Sequence, residues 1–203
     1  MLVRLGAVLS LLLCAAPSVL TAQPEKAQQR TSTPELVQHF AEFRMGFAQR
    51  PGYTGSWENE DEREAVTKAL EEDRSADFLS LSERWLEKCP VDGPIHYLRA
   101  SKLEESGDAL GAIYHWMMFY GLLTSIMASG DGQTEASAYK VISVDEEYTL
   151  LGYLHAKVKK QALRGHCDVM EVDRGGMPST VYFDVSIPLR AYDGQIESGT
   201  KKP

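Results

Sequence analysis

The acid with the most permissive setting for chemistry is Asp131, inside the run Ser129-Gly130-Asp131-Gly132. Flanking glycines admit positive φ and leave backbone N–H groups exposed. Further on, Asp145, Glu146 and Glu147 stand together. With Asp131 they would form a cation or sugar site. A tight turn and a helix N-terminus prefer the same residues for local reasons. A calcium loop needs acids at alternate positions, and Gln133, Glu135 and Ser137 supply one carboxylate. No metal is therefore expected.

The histidines are His39, His96, His115, His155 and His166. None makes a His-Glu-x-x-His pair or a close Cys/His spacing. His115 stands between Tyr114 and Trp116, placed to project toward Asp131 or Asp184. A hydrolase would use His115, Asp131, Glu147 and Asp184 as its catalytic set. A ligand site would draw on Asp131, Trp116 and Tyr148. His166-Cys167-Asp168 reads as a nucleophile cluster only on paper, because adjacent strand residues point to opposite faces. The aromatics Tyr53, Trp57, Tyr114, Trp116, Phe119 and Tyr120 would line a ligand groove or fill a core. No Gly-x-Ser-x-Gly, Walker or dinucleotide fingerprint is present, and no cofactor is expected.

These residues must be positioned by an α+β fold: an N-terminal helical bundle, then a small, mostly antiparallel sheet with one helix. Ser32 or Thr33 caps a first helix with Pro34 at its start, and Leu36, Val37, Phe40, Phe43 and Phe47 form its apolar face. Helices follow over Glu58–Arg74, Asp77–Lys88, Pro94–Ser106 and Ala109–Ser129, the last apolar around most of its circumference. Ala100, Gly107 and Ala112, with Pro90 ahead of them, resemble the small-residue positions of one tetratricopeptide repeat. The repeat's aromatic positions hold His96 and Leu103, so one repeat-like helix pair is expected and no superhelix.

After Ser129 the chain changes character. Ala138–Ser143 is β-prone, Val144–His155 reads as a helix, and Lys157–Leu163, Cys167–Val172 and Thr180–Ile187 read as strands. In the last of these Val181, Phe183, Val185 and Ile187 share a face. Pro188 ends the pairing. The expected organisation is a signal peptide at 1–22, a flexible leader at 23–33, a helical part at 34–130, an α+β part at 131–190 packed on it, and a polar tail at 191–203.

The address comes from the first residues. Arg4, the uncharged stretch Leu5–Ala16, the break at Pro17-Ser18 and Ala22 have the layout of a secretory signal peptide. The stretch is shorter than the ~20 residues of a spanning helix, so no stable membrane span is expected once it is removed. Removal takes Cys14 and leaves Cys89 and Cys167, which an oxidising compartment allows to pair. The protein is thus expected to be secreted or periplasmic.

The chain has 203 residues, 29 Asp+Glu against 21 Lys+Arg, and a net charge of −8. Glu58–Arg74 alone holds 8 acids and 3 bases. That balance excludes the basic footprint of a nucleic-acid binder and opposes adhesion to anionic membranes.

Three segments together carry a resemblance: Ser129-Gly130-Asp131-Gly132, Tyr139-Lys140-Val141-Ile142-Ser143-Val144-Asp145-Glu146-Glu147-Tyr148, and Tyr182-Phe183-Asp184-Val185-Ser186-Ile187-Pro188. They resemble the bacterial secreted or lipid-anchored family called domain of unknown function 4919, over roughly Phe40–Leu189. The resemblance implies export and a helical part followed by an α+β part, and attaches no activity. Two functions stand: a non-enzymatic envelope module binding a protein or small ligand, and an envelope hydrolase with an acidic and histidine site near Asp131.

Overall fold

Pro34 opens α1 (Pro34–Phe47), where its missing N–H is not needed. Thr33 sits at the N-cap in extended conformation, but its side chain makes no capping bond. The computed structural model describes residues 32–57 and 61–197, with backbone alone for 194–197. The signal peptide at 1–22, most of the leader and the end of the tail lie outside the described residues.

Three further helices follow: α2 (Asp61–Glu71), α3 (Ser75–Lys88) and α4 (Gly93–Ser106). α4 begins where Asp92 accepts the Ile95 N–H at 3.2 Å. Asp108 caps α5 (Ala109–Met127) by accepting the Gly111 N–H at 2.9 Å. α4 and α5 form the most extensive helix pair, with Ala100 and Ala112 fully buried between them.

α5 is long and apolar enough to cross a membrane, yet half of that stretch is buried, with α1 and α4 packed on it. Leu122 belongs to the helical core with Phe40, Val66, Phe78, Trp85 and Ile95. Trp116, Phe119, Leu123 and Ile126 belong to a second core with Leu150, Met170, Val181 and Phe183. The two halves of the chain are therefore joined through one helix. α1 approaches it so closely that a Cβ on Gly121 would fall 2.1 Å from the Phe40 ring.

The sheet holds β1 (Tyr139–Lys140), β2 (Lys157–Arg164), β3 (Cys167–Arg174) and β4 (Met177–Asp184) in the order β1-β4-β3-β2. β2, β3 and β4 are antiparallel neighbours; β1 runs parallel to β4. The fold is α+β, with one parallel edge pair in an otherwise antiparallel sheet. β1 is shorter than the β-prone run because the Ile142 N–H turns to the Glu146 carboxylate at 2.8 Å. Ser143 then caps α6 (Val144–Tyr153) by accepting the Glu146 N–H at 3.2 Å.

The end of the chain departs from expectation. β4 stops at Asp184, whose Oδ1 accepts the Ser186 N–H at 3.0 Å and turns the chain into α7 (Ser186–Glu197). Ile187 is thus helical, not part of the strand, and Pro188 lies in a first helical turn. Positions 191–197 of the expected polar tail are helical.

The Cys89–Cys167 pairing is not made. Both are free, buried thiols. Cys89 packs in the helical core, while Cys167 starts β3, opposite Asp184 of β4.

Candidate functional site

A pocket of about 330 Å³ opens where the connector after α1 meets α2 and α3. Its connector is fixed locally. Tyr53 N–H donates to the Arg50 carbonyl at 3.1 Å. Gly55, at φ 73°, lies so near Pro188 that a Cβ would fall 2.9 Å from its Cα. Only glycine permits that approach, and it presses the connector onto the start of α7.

Four aromatic side chains line the pocket: Phe47, Tyr53, Trp57 and Trp85. Phe47 meets Tyr53 and Trp57 edge-to-face, each at 6.0 Å between centroids and near a right angle. Trp85 is held by its indole N–H, which donates to Asp92 Oδ2 at 2.8 Å. Cys89 follows one turn later. Gly52, Thr54, Glu62 and Lys88 complete the lining, the last two paired at 2.6 Å as exposed side chains. The Arg50 guanidinium lies over the Phe47 ring, 4.9 Å from its centroid.

The pocket wall holds two buried donors without a partner among the described residues, Tyr53 Oη and Trp57 Nε1. Burial pushes the Tyr53 phenol well up, with Glu146 and Asp145 adding to it and Arg44 opposing. Burial likewise pushes the Cys89 thiol up, with Asp92 and Asp145 adding. Both groups are neutral at ordinary pH. Trp57 also borders a small recess of about 10 Å³ beside Asp145, Glu146 and Thr149, room for one water.

A chain of ion pairs stands behind this wall. Arg63 donates to Asp92 at 2.6 Å and lies 3.6 Å from Asp145. Arg44, with no exposed surface, donates to Glu146 through Nε and Nη2, to Ser125 Oγ at 3.1 Å and to the Lys140 carbonyl at 2.9 Å. Asp145 and Glu146 are thus taken up by internal arginines and do not form an open cation or sugar site with Asp131.

The four residues of the hydrolase reading have separate surroundings, and among the described residues no hydrogen bond or ion pair joins any two of them. Asp131 is exposed and accepts the Gln133 N–H at 2.9 Å. Its bonds with Ser137 and with the Gln133 amide lower its pKa. The Asp131 and Gly132 amides donate to the Ser137 carbonyl, so the segment is a closed turn. Asp184 starts α7. Trp116 is buried among Tyr97, Phe119 and Tyr120. Tyr148 donates to Gln161 Oε1 at 3.1 Å.

His115 belongs to a buried relay with His96. Arg99 Nε donates to His115 Nε2 at 3.0 Å, which places the His115 proton on Nδ1. That nitrogen lies 2.8 Å from His96 Nδ1, which accepts. His96 Nε2 then donates to the Pro90 carbonyl at 3.1 Å. Every ring nitrogen has one partner only when both rings are neutral. Burial lowers His96 to about 4 and His115 to about 3, with the facing His96 and Arg99 also lowering His115.

Glu147 is fully buried. Burial raises its pKa well above the ordinary range, and the facing Asp168 raises it further. Neither Glu147 oxygen has a hydrogen-bond partner among the described residues, so an ionised Glu147 would be a buried carboxylate with no donor. Asp168 in turn accepts from Gln161 Nε2 at 2.6 Å.

The family described as domain of unknown function (DUF4919) matches residues 28–194. The chain belongs to that family. No match to a curated protein or to a solved structure was found.

The resemblance read from the three segments thus names the right family, while the lining of the aromatic pocket lies wholly outside them. Tyr53 and Trp57 stood among the groove aromatics, but Phe47, Glu62, Trp85, Lys88 and Cys89 did not. Phe47 reads as part of the first helix's apolar face, and both Phe47 and Trp85 do pack in the helical core. Arg44 had a signal: a charge four after Phe40 and three before Phe47 falls on the apolar face itself.

Proposed function

We propose that the protein is an exported, non-enzymatic binding module that takes a small ligand in the aromatic pocket. The pocket carries this reading. Its volume of about 330 Å³ falls within the roughly 300–1,000 Å³ of small-molecule sites, and its aromatic walls with few polar groups have their usual chemistry. The N-terminal signal layout supports export. The alternative, an envelope hydrolase, needs His115, Asp131, Glu147 and Asp184 in one cleft, and their separate partners favour binding over catalysis. The test is a fragment screen by protein-observed NMR on the purified protein, with the indole resonances of Trp57 and Trp85 as reporters. Saturable shifts at both indoles, lost or weakened in Trp85→Phe, are expected. Hits that leave both indoles unmoved while shifting another face would remove the pocket from this role.

A further inference from the structure

We propose that the aromatic pocket takes a zwitterion, a free amino acid with a bulky apolar side chain; this rests on the binding reading above. Among the described residues, the charged side chains that line the pocket are Glu62 and Lys88, one of each sign. Burial keeps the other titratable groups of the lining, Tyr53 and Cys89, neutral. Glu62 comes from the first turn of α2 and Lys88 from the last turn of α3, and the two meet at 2.6 Å. The lining thus sets a carboxylate and an ammonium group side by side next to aromatic walls.

An amino acid carries the complementary head. Its ammonium group faces Glu62 and its carboxylate faces Lys88, so each of the four charges lies beside an opposite one. Both side chains of the pair are more than half exposed, and such pairs are weak enough to open for a ligand. A ligand with one charge would attract one member of the pair and repel the other. A ligand without charge would leave the pair closed and unused. The Arg50 guanidinium already lies over the Phe47 ring, 4.9 Å from its centroid, so a bare ammonium ligand gains less from that ring. The rings suit the amino acid's side chain instead. Phe47 stands near a right angle to Tyr53 and Trp57, and the corner they make packs an apolar or aromatic group from more than one side.

The test compares L-phenylalanine with phenethylamine, which lacks the carboxylate, and with hydrocinnamate, which lacks the ammonium group. Binding is read by isothermal titration calorimetry and tryptophan fluorescence on the purified protein near neutral pH. Phenylalanine is expected to bind about three- to fivefold tighter than either. Glu62→Gln should abolish its advantage over hydrocinnamate, and Lys88→Met its advantage over phenethylamine. Both side chains are exposed, so neither variant threatens the fold. Phenethylamine or hydrocinnamate binding as tightly as phenylalanine, or an order of the three probes unchanged in either variant, overturns the zwitterion reading and leaves the pocket a binding site. Fragment hits at the Trp57 and Trp85 indoles with no response to phenylalanine do the same. No saturable response to the three probes or to any fragment at these indoles overturns both readings.

Discussion

Arg44 of α1 and Glu146 of α6 stand 102 positions apart in the chain and meet through two parallel hydrogen bonds of 2.7 and 2.6 Å. The guanidinium is wholly buried, and its Nη1 and Nη2 are also bonded to Ser125 and to the Lys140 carbonyl. This pair fastens the first helix to the α+β half beside the pocket wall. Removing one partner strands a buried charge. Arg44→Met is expected to cost about 3–5 kcal/mol in denaturant unfolding. Adding Glu146→Gln, which keeps an acceptor for the Ile142 N–H, should restore most of that loss. Additive losses in the double variant would contradict this account.

Glu147 should make the fold sensitive to alkali. Its folded pKa is raised, so the native state holds a proton that the unfolded chain releases above the ordinary carboxylate value. Its contribution is therefore fully present below that value and is lost as pH rises toward the folded pKa. Glu147→Gln keeps the shape of the side chain and carries no such penalty. The variant should match the parent near pH 4 and exceed it by pH 8. The gap should grow by no more than about 1.4 kcal/mol per pH unit. Urea unfolding across that range measures it, and curves that stay parallel at every pH would exclude a neutral, buried Glu147.

The histidine relay gives the opposite limb. His96 and His115 are lowered to about 4 and about 3, so unfolding takes up protons below the unfolded value of roughly 6.5. Stability from this source is intact above roughly pH 6.5 and falls from there down toward the folded values. Nitrogen-15 spectra should show both rings neutral at pH 5.5, with the proton on Nδ1 of His115 and on Nε2 of His96. A doubly protonated ring at that pH would refute the relay.

Gly121→Ala should destabilise the protein, because the new methyl group would overlap the Phe40 ring. Overpacking of this kind costs about 1–3 kcal/mol. Phe40→Leu opens that space, so the double variant should lose less than the two single losses combined. Thermal melts of the four proteins decide the point.

Much of the scaffold is readable locally. The caps at Asp92, Asp108 and Ser143 each act on an amide three residues on, and the alternation of Val181, Phe183 and Val185 sets their shared buried face. The hairpin of β3 and β4 and the central place of α5 follow from the same short-range patterns. Local patterns also misled at the end of the chain. Ile187 continues the alternation of β4, but Asp184 bonds the Ser186 amide and starts a helix instead.

By itself, then, the sequence determined the α+β class, the order of helices and strands as far as β4, and the family. These depend on side-chain periodicity, turn residues and recurring motifs within short windows. Tertiary structure decided what the polar residues do. Asp145, Glu146 and Glu147 look alike as three acids in one helical turn, yet they face Arg63, Arg44 and Asp168 respectively. His115 is a neutral link to His96, and Tyr53 and Trp57 become walls of one pocket with Trp85. Partners so distant in the chain leave no local pattern, and whether a charge is solvated, paired or neutralised depends on what the fold brings against it.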